Sequence, residues 1–537
     1  MEQGIRKISV TKEGVIRDWR RRIFKNLNSK FLFILKVYLC LSVLELILFP
    51  SLYVAFALLV SYLGIALTRL QLCRTTKLLH YPLSTISLLF FCLFFEIMPL
   101  PATMAELKPI VYNLRNPFQT FLSLFLIQCA LLLTHNLYVR LTNRRNFLRD
   151  IFRRLNFFTG FSSQEIWFLI IGSLIWYAFV MLTQGFFSED NKNVNSLYNV
   201  TEWAISLFFS SYYLIVFIFF FRKFNNIKSG YQIHWLPIIL IAIADFVIGI
   251  GTNMRTAAVL VFANAVFMVI LYFIYYPETF RLIKRANVVI TLGLAALFFA
   301  GPFQIISEAM VSVRHQRTGK NALEVLEMTR SVKKNDTVKL QVEKQHSLAW
   351  DEEYLRFDML NRFCSLKIWD ETIFHARRLN QEQRQMMRLS LYTKLVDQMP
   401  GVFKTWLGIY IDPNERESSL SDYLLYLSTD GRYYPGGMKI GSLPGLGFAL
   451  FGYWLPLVLI PLYFVMFFLI DSMVLYRGTR FIFPLFVFAN MLNFAGLFSD
   501  RHYYLYELRF IFRGYWEMVI FYLISVNIVK RLPFLKH

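Results

Sequence analysis

The chain has 537 residues, of which 56% are hydrophobic, 18% are aromatic and only 17% are charged. Because soluble proteins carry about a quarter charged residues, this composition excludes a typical soluble enzyme and favours an integral membrane protein. The net charge of +22 would also suit a nucleic-acid-binding protein, but no nucleic-acid-binding motif accompanies it, and we expect no nucleic-acid partner.

Apolar stretches long enough to cross roughly 30 Å of hydrocarbon occur about twelve times along the chain. The sequence therefore predicts an all-α fold, a bundle of about twelve transmembrane helices with both termini in the cytoplasm. The predicted spans are residues 31–49, 51–67, 82–104, 117–139, 165–184, 202–221, 233–250, 256–276, 286–305, 443–470, 480–498 and 513–530. Only Pro50 and Ser51 separate the first two, so residues 31–67 could instead form a hairpin that does not fully cross.

Basic residues are concentrated in short connections between these spans, which the positive-inside rule assigns to the cytoplasm. The predicted cytoplasmic connections are 68–81, 140–164, 222–232, 277–285 and 471–480. The predicted organisation is a basic cytoplasmic N-terminus at 1–30, spans one to nine within 31–305, an extracytoplasmic loop domain at 306–441, spans ten to twelve within 442–530, and a cytoplasmic tail at 531–537.

The outward insert at 306–441 is where we expect function, because a loop of this length is commonly functional. Residues 321–332 and 380–398 have the hydrophobic periodicity of helices, so the insert is predicted to be mostly helical. Residues 412–445 are rich in Gly, Pro, Ser and Tyr and are predicted to be irregular.

Two groups of candidate site residues lie on either side of the eighth and ninth predicted spans. Arg255 follows Asn253 at the outer beginning of span eight, where a guanidinium beside helix N-terminal N–H groups suits a phosphate. The alternative is an arginine that snorkels to lipid headgroups. Arg314, His315 and Arg317 lie soon after span nine, and they suit either a pyrophosphate or the headgroups of the membrane surface.

A third group lies between residues 354 and 378 and contains Arg362, Arg377 and Arg378. Arg362 could bind a ligand or could form only an i, i+4 surface pair with Asp358. These basic residues lie within the outward insert, so each remains a candidate for binding an anionic substrate.

Two further groups lie near the end of the chain. Lys439 belongs to a glycine-rich stretch at 431–457, where glycine allows the backbone to approach a ligand or simply gives a flexible loop. Arg501 and His502 lie in the last predicted outer loop. His502 is a candidate general base, although a lone histidine at an interface is more often structural.

The sequence contains no HExxH, paired-cysteine, Walker or Rossmann motif. Each of these motifs places metal ligands or phosphate-binding backbone at a fixed spacing. We therefore expect no metal, no cofactor and no ATPase activity.

Four of these segments together resemble the bacterial oligosaccharide repeat-unit polymerases, the Wzy-type O-antigen and exopolysaccharide polymerases. The likeness lies in GTNMRT (251–256), LNRFCSLKIWDETI (360–373), QMPGVFKTW (398–406) and GSLPGLGFALFGYWLP (441–456), within roughly residues 250–460. The related O-antigen ligases usually have a histidine just before the last of these segments. The corresponding YYPGGMKIGSLPG has none, which favours a polymerase.

The resemblance implies a glycosyltransferase of the bacterial inner membrane with its active site facing the periplasm. It would transfer a growing glycan from undecaprenyl pyrophosphate to a second lipid-linked repeat unit. Arg255, Arg314 and Arg362 would bind the pyrophosphate. The general base is open between His315, His502 and Asp358. The implied substrate-binding residues are Asn253, Arg317, Arg377, Arg378, Lys439 and Arg501.

The implied partners are undecaprenyl-pyrophosphate-linked glycans, membrane lipids, and a flippase and chain-length regulator of the same pathway. Two alternatives stay open. One is an O-antigen-ligase-like transferase that uses a lipid-linked donor. The other is a secondary transporter, which twelve spans would suit, although the sequence lacks the two related halves that transporters often show.

Overall fold

A computed structural model of the chain describes residues 2–73, 80–142, 146–162, 164–172, 366–397, 406–409, 419–433, 441–477, 480–489 and 508–532, with isolated positions 175, 240, 243, 327, 350, 351, 354, 355, 361, 364 and 494. For residues 2–20 it describes the backbone alone. The predicted spans at 202–305, apart from those isolated positions, lie outside the described residues. The same holds for the QMPGVFKTW segment up to residue 405.

The regular secondary structure of the described residues is helical apart from one short β hairpin. The helices are α1 Glu2–Leu48, α2 Leu52–Leu72, α3 Pro82–Cys92, α4 Pro99–Ala105, α5 Pro117–Thr142, α6 Phe147–Arg154, α7 Leu366–Arg378, α8 Gln381–Asp397, α9 Leu420–Ser428, α10 Leu443–Phe451, α11 Leu455–Ser472, α12 Leu485–Ala489 and α13 Tyr515–Arg531. Wider π-helical turns at Leu93–Ile97 and Phe510–Gly514 precede α4 and α13, and a 3₁₀ turn at Gly452–Trp454 precedes α11.

Five described segments are long and apolar enough to cross a membrane: Arg21–Leu48, Leu52–Leu72, Pro82–Ala105, Pro117–Thr142 and Leu455–Ser472. Each overlaps a predicted span, which confirms an apolar helical bundle in this part of the chain. The first two are both long enough to cross. Twelve spans and cytoplasmic termini stay predictions.

The predicted span at 443–470 is two helices, and the prediction of one continuous span was wrong. Gly452 has φ +58° and ψ −134°, a conformation that suits glycine and ends α10. A second helix then begins with Pro456 in its first turn, where the missing N–H group costs nothing. The membrane-length helix is therefore α11, and α10 is a separate short helix.

The region at 412–445, which was predicted to be irregular, contains helix α9, which its composition did not indicate. Ser419 and Asp422 form a capping box at the beginning of α9, in which each side chain accepts an N–H from the other residue. Leu420, Leu424 and Leu425 are buried behind this cap. Capping and leucine burial therefore outweigh the Gly- and Ser-rich surroundings.

The predicted span at 480–498 also begins differently from its prediction. Strands Leu475–Arg477 and Arg480–Ile482 pair antiparallel, with Leu475 opposite Ile482. A helix then begins at Leu485. The predicted cytoplasmic loop at 471–480 thus contains the end of α11 and the first strand of a hairpin.

Helix α5 is central, because it packs against α2, α7 and α11. Tyr138 of α5 is fully buried and lies against Phe464 and Phe467 of α11, with ring centroids 5.7 and 5.9 Å apart. Aromatic pairs of this kind add about 0.5–1.5 kcal/mol to the burial itself. Aromatic side chains of α5 and α11 therefore pack together in the core, although the two helices are far apart in sequence.

Asp471, at the end of α11, links α3 and α6 to α11 at one end of the bundle. Its carboxylate accepts the backbone N–H groups of Leu83 and Ser84 at 3.1 and 3.2 Å, and the Ser84 hydroxyl at 2.5 Å. Arg149 donates to the Asp471 carbonyl at 2.8 Å. Residues that follow the predicted connection 68–81, or lie within 140–164, therefore meet the end of α11.

Candidate functional site

The candidate site lies at the opposite end of the bundle, where α7 packs on the loop between α4 and α5. Of the predicted site residues, Arg377 and Arg378 lie in α7 and both are exposed. The others lie outside the described residues: Arg255, Asn253, Arg314, His315, Arg317, Arg362, Lys439, Arg501 and His502. The part of the candidate site that the structure describes therefore consists of α7 and its neighbours.

Helix α7 is held by one apolar face. Leu366, Trp369, Ile373 and Ala376 recur at helical spacing and are all buried. The Trp369 ring meets Phe95 edge-on at 5.1 Å, and its Nε1–H donates to a serine of α5 at 2.9 Å. This anchoring leaves the last turn of α7, with its basic residues, at the surface.

Asp370 fixes α7 to the beginning of α5. Its carboxylate accepts the backbone N–H groups of Arg115 and Asn116 at 2.6 and 2.8 Å, and the Thr120 hydroxyl at 2.9 Å. The first N–H groups of a helix have no partner within it, so this carboxylate acts as a cap supplied by another helix. Burial raises the pKa of Asp370 above its ordinary value, although these N–H groups act in the opposite direction.

Glu371 is the centre of a buried charge cluster. Its carboxylate lies 2.8 Å from Arg115 Nη2 and 3.3 Å from Lys367 Nζ. The Lys367 ammonium also donates to the Asn113 carbonyl at 2.6 Å. Burial alone would raise the pKa of Glu371, but the contact with His375 and the charges of Lys367 and Arg115 hold it below its ordinary value. The carboxylate is thus held ionised inside the protein.

His375 extends the cluster toward α9. Its Nδ1 lies 2.7 Å from Ser428 Oγ, its Nε2 lies 3.5 Å from Glu371, and its ring stacks on Trp350 at 5.2 Å. Only 1% of His375 is exposed, so it does not reach an acceptor hydroxyl at the surface. We interpret it as a residue that positions Glu371.

Two guanidinium groups share the ring of Phe374. The guanidinium carbons of Arg115 and Arg378 lie 4.5 and 4.6 Å from its centroid. Stacking of this kind orients a guanidinium while leaving N–H groups at its edge for a planar or tetrahedral anion. Arg377 is exposed on the same helical turn and has no ion-pair partner among the described residues. These arginines could bind a phosphate or pyrophosphate.

Helix α10 packs against α7 at very short range. The Ser442 N–H donates to Thr372 Oγ1 at 3.1 Å, and a Cβ at position 445 would lie 2.5 Å from Thr372. Glycine at 445 is therefore required for this contact. Arg384 and Arg388 of α8 donate to carbonyl oxygens at the end of α10, at 2.9 and 2.7 Å, which stabilises a helix end.

Sequence reasoning missed Arg115, Asp370 and Glu371. The adjacent pair Asp370-Glu371 follows Lys367 at i+3 and i+4, a spacing typical of helical ion pairs, and this was the signal available. Nothing in the sequence linked the pair to the loop before α5. Within the described residues, no three His, Cys, Asp or Glu side chains are grouped as a metal site.

No protein-family model, curated protein or solved structure matches this chain.

Proposed function

We propose that this chain polymerises undecaprenyl-pyrophosphate-linked oligosaccharide repeat units into a surface polysaccharide, as a glycosyltransferase of the bacterial inner membrane with a periplasmic active site. One observation carries the proposal. The two described segments that resemble the Wzy-type polymerases, around α7 and α10, lie directly against each other through Thr372 and Ser442, although they are 70 residues apart in sequence.

The main requirement of the proposed reaction is positive charge that stabilises the leaving pyrophosphate. The bond between the anomeric carbon and the pyrophosphate oxygen breaks, and a bond from that carbon to the acceptor hydroxyl oxygen forms. The leaving undecaprenyl pyrophosphate takes the electron pair and gains negative charge. Arginine forks neutralise such a group by paired hydrogen bonds. Arg255, Arg314 and Arg362 are proposed for this role.

Arg115, Arg377 and Arg378 would add to this charge at the surface of α7. The stacking of two guanidiniums on Phe374 fixes their orientation before substrate binds, and a preorganised cation stabilises developing charge without rearranging. The acceptor proton would pass to a base, for which His315, His502 and Asp358 stay the candidates. A flippase and a chain-length regulator are the proposed partners.

The test is reconstitution of the purified chain with lipid-linked repeat units of its host, with products separated on a gel. A ladder with steps of one repeat supports the proposal. Transfer of one block to a different lipid acceptor would replace it with a ligase. No product from a verified substrate, together with flux of that substrate into vesicles, would replace it with a transporter.

The same assay ranks the arginines. Arg255→Ala, Arg314→Ala and Arg362→Ala should each abolish the ladder while the protein still inserts in the membrane. Arg153→Ala, an exposed residue of α6, is the matched control and should retain the ladder. Full activity in any one of the three variants would remove that residue from the site.

A further inference from the structure

A group of polar side chains is buried among the first four candidate spans, where no lipid or water can solvate them. Glu96 and Gln128 are each 1% exposed, and Glu45 is fully buried. Glu96 lies in the π-helical turn before α4. Such turns are rare and often occur at functional sites. An ionisable group inside a membrane span is itself a functional hypothesis.

Glu96 and Gln128 meet at Gly64 of α2. A Cβ at position 64 would lie 1.7 Å from Glu96 Oε1 and 2.4 Å from Gln128 Oε1. Both oxygens therefore point at the same place, and only glycine leaves room for them. The two oxygens therefore lie no more than about 4.1 Å apart. Two acceptor oxygens that face each other at short range attract only when a hydrogen lies between them.

The orientation of the Gln128 amide shows which residue carries that hydrogen. Its Nε2 donates to the Gly64 carbonyl at 3.0 Å and to Thr68 Oγ1 at 2.9 Å, which uses both N–H groups. A flipped amide would place its oxygen against the Gly64 carbonyl, which can only accept. Gln128 Oε1 thus has no donor among the described residues unless the Glu96 carboxyl group supplies one.

The charged groups around Glu96 agree with this. Cys92 of α3, Tyr38 of α1 and Cys129 of α5 are the titratable groups among the described residues that interact with it. All are neutral or negative. Within the described residues no lysine or arginine pairs with Glu96. An ionised carboxylate here would be an unpaired charge away from water, which is very costly.

A polar stripe on α1 leads away from this pair. Tyr38, Ser42 and Glu45 recur at i, i+4 and i+7, and all are buried. The Ser42 hydroxyl and Glu45 Oε2 have no hydrogen-bond partner among the described residues, and the Tyr38 side chain interacts with Ser61 of α2. Glu45 Oε1 accepts the N–H of Ile110 at 2.6 Å. The stripe therefore ends at the loop that also carries Arg115.

We propose that Glu96 holds an exchangeable proton between its carboxyl group and Gln128 Oε1, and that Tyr38, Ser42 and Glu45 connect this site to the end of the bundle that carries residues 106–116. The ligand is one proton per chain. Its uptake converts the Glu96 carboxylate to the neutral acid and involves no electron transfer. The proposal is independent of the polymerase activity proposed above.

Infrared spectroscopy of the full purified chain at neutral pH tests the site. The expected result is a carbonyl band of a protonated carboxyl group that shifts on ¹³C-labelling of glutamate and is lost in Glu96→Gln. Glu517→Gln, a surface carboxylate paired with Arg513, is the control and should keep the band. Absence of the band in the unmodified chain overturns the proposal, as does its survival in a folded Glu96→Gln variant.

Two further measurements keep the test decisive if Glu96→Gln does not fold. Gln128→Leu removes the acceptor, so the labelled band should change position, and an unchanged band contradicts a shared proton. Transfer into D₂O should shift the band more slowly in Glu45→Gln than in the unmodified chain. Equal exchange rates would overturn the proposed route through Glu45.

Discussion

Asp370 accepts the backbone N–H of Asn116 across 2.8 Å, so a residue of the predicted extracytoplasmic insert caps a membrane-length helix. The same carboxylate also accepts hydrogen bonds from the Arg115 N–H and the Thr120 hydroxyl. Loss of this carboxylate would leave three donors without an acceptor. These hydrogen bonds therefore fix the position of α7 relative to α5, the central helix of the bundle.

We expect Asp370→Ala to lower the free energy of unfolding by about 3 kcal/mol or more, since each unsatisfied buried polar group costs about 1–3 kcal/mol. Asp370→Asn keeps one acceptor oxygen and should cost less. Thermal unfolding in detergent, followed by tryptophan fluorescence, measures both. Glu382→Ala, an exposed position of α8, is the control and should change stability by less than about 0.5 kcal/mol. Equal stability of Asp370→Ala and the control would contradict the capping role.

The ionised state of Glu371 predicts a pH dependence. Its pKa is lower in the folded protein than the ordinary value of 4.5, so the stability it contributes is present above pH 4.5 and is lost as pH falls below that value. Glu371→Gln imitates the protonated form. The advantage of the unmodified chain over this variant should therefore be largest near neutral pH and shrink below pH 4.5.

Thermal unfolding of both proteins across this pH range checks the prediction. The pKa of Asp370 is raised, so its protonation acts in the opposite direction, relieving a cost as pH falls. Because Asp370 is present in both proteins, its effect largely cancels in the difference. A difference that grows on acidification would show that Glu371 is not stabilised as an anion.

The contact between α7 and α10 predicts a strict requirement for glycine at 445. A methyl group there would lie 2.5 Å from Thr372, and overpacking of this kind costs about 1–3 kcal/mol. Gly160→Ala is the matched control, because a Cβ at that position meets nothing within 4 Å. We expect Gly445→Ala to unfold at lower temperature and to lose the proposed polymerase activity, with Gly160→Ala unchanged. Equal behaviour of the two variants would refute the close packing.

The sequence predicted what depends on local pattern. The apolar runs at 51–67 and 117–139 correspond to α2 and α5, and the periodicity at 380–398 corresponds to α8, Gln381–Asp397. These features follow from composition and spacing within one segment. The capping box of α9 was also local, but the glycine and serine content around it favoured a loop and led to the wrong prediction.

The candidate site was less predictable, because its contacts join distant segments. Arg377 and Arg378 were predicted from their charge. Arg115 lies in a short loop with no distinguishing pattern and is linked to Arg378 through the ring of Phe374. Glu96 was visible as a charge inside a predicted span. Its partner Gln128 was not, because only the packing of α2 and α5 brings Gly64 beneath both side chains.

The stacking of Arg115 and Arg378 on Phe374 predicts how substrate binding should respond to mutation. If both guanidiniums bind the lipid-linked pyrophosphate, Arg378→Ala should raise the KM for the donor by about tenfold, the effect of losing roughly 1.4 kcal/mol. Phe374→Leu keeps both arginines but removes the ring that orients them, so it should raise KM in the same direction by a smaller factor. Initial rates of ladder formation at varied donor concentration give both constants.

Arg378→Lys separates charge from geometry in the same assay. A lysine keeps the positive charge but lacks the planar fork that stacks on an aromatic ring, so it should restore only part of the affinity. Arg153→Ala, at the opposite end of the bundle, should leave KM unchanged. A KM for Arg378→Ala equal to that of the unmodified chain would exclude this surface from donor binding, whereas an unchanged KM with a reduced kcat would move its role to the transition state.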